Sequence, residues 1–312
     1  MRPRKLILGS GVTAGLTANL LHDSHNICMA WLRHAQASPI PELLPRRAFF
    51  DALGVTQADE AVAIADVAPR VQEVVWVDRG TLVTRKLVST DAFLVYEKGR
   101  LTAWLRERAM AAGIEAIVLD TPNQTVDPGG YDLVLDCRGS HAVFEDSGYE
   151  ITPLAPTLTR CTYAILTRPE SIAADQIVFW SLPMRDKAQR MFFCIPVGDG
   201  LMSVGCSYSP TLRMDVDAVL EVAHEVGLPV TAGQIRSAGE AAPHRVSAKA
   251  RDPRVIPIGD AARSCCPMTE YGTMAALSHL LQLCHEPALP ASALMRPIHC
   301  QIDPHIPLEL FL

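Results

Sequence analysis

Several features that would assign a chain to a class at once are missing from this sequence of 312 residues. It has no run of about 20 apolar residues, the length that a membrane-spanning helix needs, so no membrane span is expected. It has no excess of basic residues, since the formal net charge is −6, and a nucleic-acid partner is therefore not expected. Repeats and low-complexity segments are also missing. What remains is a globular protein, and 49% apolar residues is enough for its core.

The cysteines and histidines show no metal-binding or redox spacing. The nine cysteines form no C-x-x-C pair, and no two histidines lie at metal-ligand spacing near suitable acids. We expect reduced thiols in a cytoplasmic protein, and no metal site. For the adjacent Cys265 and Cys266, two interpretations are open: one reactive thiol, or a redox pair. A thiol at a helix N-terminus can be reactive, but neighbouring cysteines rarely form a low-strain disulfide.

A strand, a glycine-rich turn and a helix follow one another at the start of the chain. Residues 5–8, Lys-Leu-Ile-Leu, are predicted to form a buried strand, and the turn contains Gly9, Gly11, Ala14 and Gly15. In a dinucleotide-binding turn the first glycine reverses the backbone, the second lets a pyrophosphate approach, and a small third residue lets the helix pack on the strand. The order of these elements favours a dinucleotide site over a merely tight turn.

The second predicted strand, residues 26–33, ends without the carboxylate that usually binds the adenosine ribose. Arg33 stands there instead. Three interpretations are open: Arg33 contacts a phosphate, the ribose is held by backbone and water, or Arg33 is only a solvated charge at the end of the strand.

The strand pattern changes along the chain. The first 140 residues alternate apolar strands with helices, as in a mostly parallel α/β sheet, whereas residues 151–210 contain short strands separated by turns, as in an antiparallel sheet. The pattern returns to α/β at residue 254. We predict a Rossmann-like nucleotide-binding domain of residues 1–70, 99–150 and 251–290, interleaved with a substrate domain of residues 71–98 and 151–250, and a tail of residues 291–312.

One hairpin of the second region suggests a pocket. Between residues 190 and 208, alternate positions hold Phe192, Cys194, Ser203, Gly205 and Ser207. These residues could line a substrate pocket, and core packing explains the apolar members equally well.

Three further segments carry a family resemblance. They are a helix that begins Arg100-Leu-Thr-Ala-Trp-Leu, the strand exit Asp132-Leu-Val-Leu-Asp-Cys-Arg-Gly-Ser140, and Gly259-Asp260-Ala-Ala followed by Pro267 and Gly272. With the N-terminal turn, they resemble the motifs of the FAD-dependent monooxygenase superfamily. That superfamily includes aromatic hydroxylases, flavin-dependent halogenases and geranylgeranyl-reductase-like proteins.

The resemblance implies roles for particular residues. Gly9, Gly11 and Ala14, with the neighbouring Gly15, match the turn around the FAD pyrophosphate. Arg100 matches an arginine near the ribityl and phosphate groups. Asp260, which follows Gly259, matches the aspartate that binds the ribityl chain. The residues implied at the flavin ring are Pro267 and Gly272, and Thr273 is a further cofactor-binding candidate.

The stretch between residues 263 and 271 departs from the family pattern. Arg263 replaces the usual His or Gly, and the bulky Thr269, Glu270 and Tyr271 replace small residues. If Glu270 and Tyr271 face the ring, they are the best candidates for acid–base catalysis; otherwise they cap or flank the following helix. The three bulky residues could shape a substrate pocket or obstruct the ring.

The function implied by the resemblance is oxidation of an electron-rich small molecule through a flavin C4a-(hydro)peroxide. Electrons would come from NAD(P)H or from a separate flavin reductase. Alternatives are a flavin-dependent reductase or cyclase, a halogenase, or a non-catalytic binding or scaffold protein that kept the fold with weak or no FAD binding. The halogenase alternative is weakened by the segment from Phe179 to Pro183, which holds one tryptophan where halogenases have two.

Overall fold

A computed structural model of the chain describes residues 4–21, 26–35, 41–56, 71–78, 81–88, 93–121, 126–153, 160–183, 189–198, 200–209, 212–241, 246–262 and 272–285. The strands in these ranges are β1 (Lys5–Leu8), β2 (Ile27–Leu32), β3 (Pro41–Pro45), β4 (Glu73–Asp78), β5 (Thr81–Leu87), β6 (Phe93–Glu97), β7 (Glu115–Leu119), β8 (Leu133–Asp136), β9 (Tyr149–Pro153), β10 (Arg160–Thr167), β11 (Gln176–Pro183), β12 (Gln189–Gly198), β13 (Leu201–Tyr208), β14 (Ile235–Ala241), β15 (Val246–Ala250) and β16 (Val255–Pro257). The α-helices are α1 (Val12–Leu20), α2 (Arg46–Ala52), α3 (Lys98–Ala111), α4 (Ser140–Glu145), α5 (Val216–Glu225) and α6 (Gly272–His285).

Five of the strands form a parallel sheet in the order β16-β8-β1-β2-β7. The chain builds outward from β1 through β2 to β7 and then returns to the other side of β1 with β8 and β16. The strand order therefore reverses between β1 and β8. In open α/β sheets, ligands bind at the carboxyl ends of the strands beside such a reversal.

The two faces of this sheet are covered differently. Helices α1, α3 and α6 pack on one face, where Met29, Leu105 and Leu277 are buried in a common core. The cluster on the opposite face consists of strand residues such as Leu6 and Val134 together with Val126 and Tyr131, and it includes no residue of a described helix. The strand residues of this second face are nevertheless buried, since Leu6 and Val134 are at most 2% exposed.

The remaining large sheet has seven strands in the order β14-β10-β13-β12-β11-β4-β5, antiparallel except for the parallel pair of β4 and β11. Helix α5 covers one face, and Phe192 and Cys194 are buried there. Ser203, Gly205 and Ser207 pair with Ile195, Phe193 and Met191 and point to the other face. The predicted pocket set is therefore divided between two faces, because residues at odd and even positions of paired strands point in opposite directions.

The predicted combination of a Rossmann-like parallel sheet and a mostly antiparallel sheet is confirmed. The strands of the antiparallel sheet come from residues 73–87 and 160–241, and the parallel sheet uses the segments around them. The domain boundaries given above stay a prediction. The segment from Pro41 to Pro45 forms β3, which pairs with β6. Within the described ranges, no helix is long and apolar enough to cross a membrane.

Candidate functional site

A cavity of about 1430 Å³ opens at the carboxyl ends of the parallel strands. Leu8, Leu32, Leu119 and Asp136, the last residues of β1, β2, β7 and β8, all line it. It also extends over the face of the sheet opposite α1, α3 and α6, where Val134 forms part of its wall. Its position at the strand reversal and its size make it the candidate ligand site.

The turn between β1 and α1 forms one wall of the cavity. Gly9 has φ +145°, a backbone conformation that residues other than glycine rarely adopt. A Cβ atom at this position would lie 2.6 Å from the carbonyl oxygen of Cys137. The Gly9 N–H donates to the Ala30 carbonyl at 3.0 Å. The first glycine therefore allows β1, β2 and the exit of β8 to meet closely beneath the turn.

Helix α1 presents its N-terminus to the cavity. Gly11 is the N-cap residue, no side chain caps the helix there, and its first turn holds no acidic residue. A Cβ atom on Gly11 would have no neighbour within 4 Å. The first amides of a helix lack intrahelical partners and attract anions. This end of α1 is consequently suited to a phosphate group.

Ser10 and Arg106 join this turn to the end of β2. The Leu32 N–H donates to the Ser10 hydroxyl at 2.8 Å. Arg106 of α3 donates from Nη2 to the Ser10 carbonyl at 3.3 Å, and its guanidinium lies 4.7 Å from the centre of the Trp31 ring. The buried Arg106 Nε has no hydrogen-bond partner. Burial lowers the pKa of Arg106, so the wall carries a poorly compensated positive charge.

A charged cluster occupies the wall beyond β8. The carboxylate of Asp136 is fully buried and accepts from Arg138 at 2.7 Å and from the Tyr149 hydroxyl at 2.5 Å. Arg138 also donates to Asp146 at 2.9 Å. All four residues line the cavity. The buried carboxylate is thus paired and hydrogen-bonded, which is the condition for burying a charge at acceptable cost.

The pKa values in this cluster shift as the pairing predicts. The hydrogen bond from Arg138 lowers the pKa of the Asp146 carboxyl. Burial, followed by the charge of Asp136, raises the pKa of Tyr149, because a phenolate beside a carboxylate is disfavoured. Burial also raises the pKa of the Cys137 thiol to about 12. Tyr149 and Cys137 are therefore neutral near pH 7.

Two arginines predicted to contact the cofactor lie elsewhere. Arg33 forms an ion pair with Asp120 at 2.8 Å, and both side chains are more than half exposed. Arg100 is exposed at the start of α3. Neither lines the cavity, whereas Gly99 and Arg106 of the same helical segment do.

Ala14 and Gly15 lie inside α1 and serve its packing. Both are buried. A Cβ atom on Gly15 would lie 2.7 Å from the Leu105 Cβ, so this glycine lets α1 and α3 approach each other. Among the N-terminal motif residues, Gly9 and Gly11 are therefore the ones that line the cavity.

The late Gly259-Asp260 motif lies against the same helix. Gly259 begins a short 3-10 turn, and a Cβ atom on it would lie 2.9 Å from the Thr13 Oγ1 of α1. Asp260 is exposed and does not line the cavity. Gly272 begins α6, and Thr273 is buried in its first turn. The structure thus places the turn at Gly259 against the first turn of α1, next to the Gly9–Gly11 turn that leads into the same helix.

The other predicted residues lie outside the described ranges. They are Arg263, Cys265, Cys266, Pro267, Glu270 and Tyr271. Their proposed contacts with a flavin ring or a substrate stay predictions. Within the ranges that are described, no group of three His, Cys, Asp or Glu side chains is arranged to hold a metal ion.

Sequence reasoning missed Ser10, Arg106, Asp136, Arg138 and Tyr149 as cavity residues. One signal was available: Gly99 and Arg106 are seven positions apart, two helical turns, and so share a helix face. No comparable signal marked Tyr149, which the pairing of β9 with β15 brings into the wall.

Comparison with solved structures gives the same overall architecture. A thermophilic tryptophan halogenase (Th-Hal) from Streptomycin violaceusniger has a TM-score of 0.68 at 14% identity, covering 91% of this chain and 74% of the halogenase. The tetrameric form of 2-methyl-3-hydroxypyridine-5-carboxylic acid oxygenase also scores 0.68, at 15% identity over 94% and 85% of the two chains. BrvH, a flavin-dependent halogenase from Brevundimonas sp. BAL3, scores 0.63 at 14% identity over 90% and 71%. The chain has the fold of the FAD-dependent monooxygenase superfamily.

This fold was the one implied by the sequence motifs, and the resemblance is confirmed at that level. No family model and no curated protein sequence matches the chain. At 13–15% identity, what these proteins and the chain share is the fold.

The residues in the cavity wall fit a dinucleotide of the FAD type. The adenosine diphosphate part needs space, an open helix N-terminus and a positive charge, and the wall offers all three. The open Cβ position of Gly11 and the presence of the Arg106 guanidinium in the cavity lining are the specific observations that support this fit.

Proposed function

We propose that this chain binds FAD and is an FAD-dependent monooxygenase-like oxidoreductase acting on an electron-rich small molecule. The observation that carries the proposal is the glycine turn at the N-terminus of α1, which opens on a cavity at the strand reversal of the parallel sheet. The fold shared with flavin-dependent enzymes gives this turn its functional context.

Each part of the wall has a separate task in this proposal. Gly9 and Gly11 let the pyrophosphate approach the backbone, and the first amides of α1 donate to its oxygens. Arg106 supplies a positive charge beside them. Asp260, on the turn that lies against α1, is proposed to accept from the ribityl hydroxyls. FAD, when bound, supplies the redox and oxygen chemistry, while the protein binds it, orients the substrate and excludes water.

The first test is cofactor binding. Purified protein is titrated with FAD and followed by flavin fluorescence and thermal unfolding, in parallel with a Gly11→Ala variant. We expect binding to the wild-type protein and at least about tenfold weaker binding to the variant, because the added Cβ occupies the space of a phosphate oxygen. If the wild-type protein retains no flavin and shows no thermal shift with FAD, the proposal is excluded.

The second test concerns the electron donor. If NAD(P)H reduces the bound flavin directly, the flavin absorbance bleaches in a stopped-flow experiment with NADPH. Failure to bleach with NADPH, but bleaching with a flavin reductase present, assigns the protein to the two-component type. Oxygen-dependent consumption of a substrate then separates a monooxygenase from a reductase or cyclase.

A non-catalytic protein that kept the fold is the second candidate. It is favoured by Arg33, which stands at the position of the ribose carboxylate and pairs with Asp120 at the surface.

The halogenase candidate gains no support from Trp180, since this tryptophan is a core residue with its ring 5.4 Å from that of Phe192.

A further inference from the structure

The end of β2 lacks the acceptor that a dinucleotide-binding fold normally offers to the adenosine ribose. In such folds a carboxylate at this strand end accepts from the ribose 2′-hydroxyl. Arg33 stands at that place, and its side chain pairs with Asp120 at 2.8 Å. Neither side chain lines the cavity. The ribose of a bound FAD therefore has to be held by other groups.

The backbone at this strand end has already used its donors. The Leu32 N–H donates to the Ser10 hydroxyl at 2.8 Å, and the Arg33 N–H donates to the Leu119 carbonyl at 2.8 Å. A backbone amide of β2 is therefore not available to the ribose. Of the described groups that reach this end of the cavity, the side chains of the glycine turn and of α3 remain.

The Ser10 side chain can still donate one hydrogen bond. A serine hydroxyl has one donor and two acceptor positions. Ser10 uses an acceptor position for the Leu32 N–H, and within the described ranges no residue accepts from its O–H. Because Ser10 lines the cavity, this O–H is a donor for a ligand bound there.

Arg106 brings a second donor to the same place from α3. Its guanidinium lies 4.7 Å from the centre of the Trp31 ring, and its Nη2 donates to the Ser10 carbonyl at 3.3 Å. The N–H groups lie in the guanidinium plane, so stacking on Trp31 covers a face and leaves the edge for hydrogen bonds. The Nε is enclosed by protein, which leaves the terminal nitrogens to contact a ligand. These contacts fix the guanidinium between the glycine turn and the end of β2.

We propose that Ser10 and Arg106 bind the adenosine ribose of FAD as hydrogen-bond donors, in place of the missing carboxylate. The ribose 2′-oxygen then acts as an acceptor, which is the reverse of its role opposite a carboxylate. The inference rests on the proposed function, because FAD is the ligand. It leaves the pyrophosphate at the N-terminus of α1, where the glycine turn opens.

Three nucleotides that differ only at the ribose 2′ position distinguish the two modes of binding. ADP, which is the adenosine diphosphate part of FAD, is titrated by calorimetry beside 2′-deoxy-ADP and 2′-O-methyl-ADP. We expect 2′-deoxy-ADP to bind at least about tenfold more weakly than ADP, because a hydrogen bond to a charged group is lost. 2′-O-methyl-ADP keeps the acceptor oxygen and should bind within about threefold of ADP.

Variants of single residues assign the effect. Arg106→Met should remove most of the difference between ADP and 2′-deoxy-ADP, and Ser10→Ala should reduce it. Arg100→Met is the matched control, since Arg100 lies on the same helix but does not line the cavity, and it should leave the difference unchanged. Thermal unfolding checks that each variant is folded. Arg106→Lys, which should also show a smaller difference, serves if the methionine variant is not folded.

An FAD titration of the same protein separates this inference from the proposed function. If the protein binds FAD but binds ADP and 2′-deoxy-ADP equally, or does not bind ADP, the inference is overturned and the flavin function stands. The same holds if 2′-O-methyl-ADP binds as weakly as 2′-deoxy-ADP, because the 2′-hydroxyl then donates to an acceptor such as Asp120. A difference that persists in Arg106→Met or disappears in Arg100→Met also overturns it. A protein that binds no FAD refutes the proposed function, and the inference with it.

Discussion

Replacing Gly9 by alanine should destabilise the whole protein, not only its ligand site. The residue has φ +145°, and the new Cβ would lie 2.6 Å from the Cys137 carbonyl oxygen and 2.8 Å from its carbonyl carbon. Both contacts are backbone atoms of the segment that follows β8, so no flexible side chain can move aside. Relief requires a shift of β1 against β8 at the centre of the parallel sheet.

The size of the effect follows from two contributions. Holding a non-glycine residue in a disfavoured backbone region costs about 1–3 kcal/mol, and overpacking a close contact costs about 1–3 kcal/mol more. Together they amount to about 2–6 kcal/mol, a large part of the roughly 5–15 kcal/mol that stabilises an average domain. At about 2–4 °C per kcal/mol, the midpoint of thermal unfolding should fall by at least roughly 4 °C.

Gly11→Ala is the matched control for this prediction. Gly11 has φ −98° and an added Cβ would meet no atom within 4 Å. Loss of a glycine N-cap should cost at most about 1 kcal/mol. Thermal and urea unfolding of both variants should therefore separate a folding effect at Gly9 from a binding effect at Gly11. A Gly9→Ala protein as stable as the wild type would refute the packing argument.

Three further perturbations test the structure. Gly205→Ala places a Cβ 2.8 Å from the Thr162 carbonyl oxygen inside the seven-stranded sheet and should lower the free energy of unfolding by about 1–3 kcal/mol. Gly233→Ala is the control: its new Cβ meets nothing within 4 Å, and it should not lower the free energy of unfolding in this way. Tyr149→Phe removes the hydrogen bond to buried Asp136 and should cost about 1.5–3 kcal/mol in urea unfolding at pH 7. Because the pKa of Tyr149 is raised, its contribution to the free energy of unfolding is complete below about pH 10 and is lost at higher pH. The prediction is contradicted if the stability of the wild-type protein falls no more steeply than that of the variant above this pH. Asp146→Asn should flatten the loss of stability below about pH 4. Because the pKa of Asp146 is lowered in the fold, its carboxylate stabilises the protein above its unfolded pKa, and this contribution disappears as the pH falls. Acid unfolding curves of the two proteins that coincide would show that the ion pair with Arg138 contributes nothing.

The sequence by itself determined the fold class and one wall of the site. Strand, turn and helix at residues 5–20 follow from local rules: an apolar run, glycines where the backbone reverses, and a helical continuation. The same local rules located α3 and the hairpin between residues 190 and 208. These elements need no distant partner to be recognised, because their periodicity and turn residues lie within a few positions of one another.

Tertiary structure alone decided which charges face the cavity. Arg33 and Arg100 occupied the positions that motifs favour, yet the arginines that line the cavity are Arg106, Arg138 and Arg251. Arg106 lies there because α3 packs on α1 through Gly15. Tyr149 of β9 donates to Asp136 of β8, which belongs to a different sheet, and the β3 strand exists through its pairing with β6. Such contacts depend on how elements distant in sequence pack together, and a local pattern carries no record of that packing.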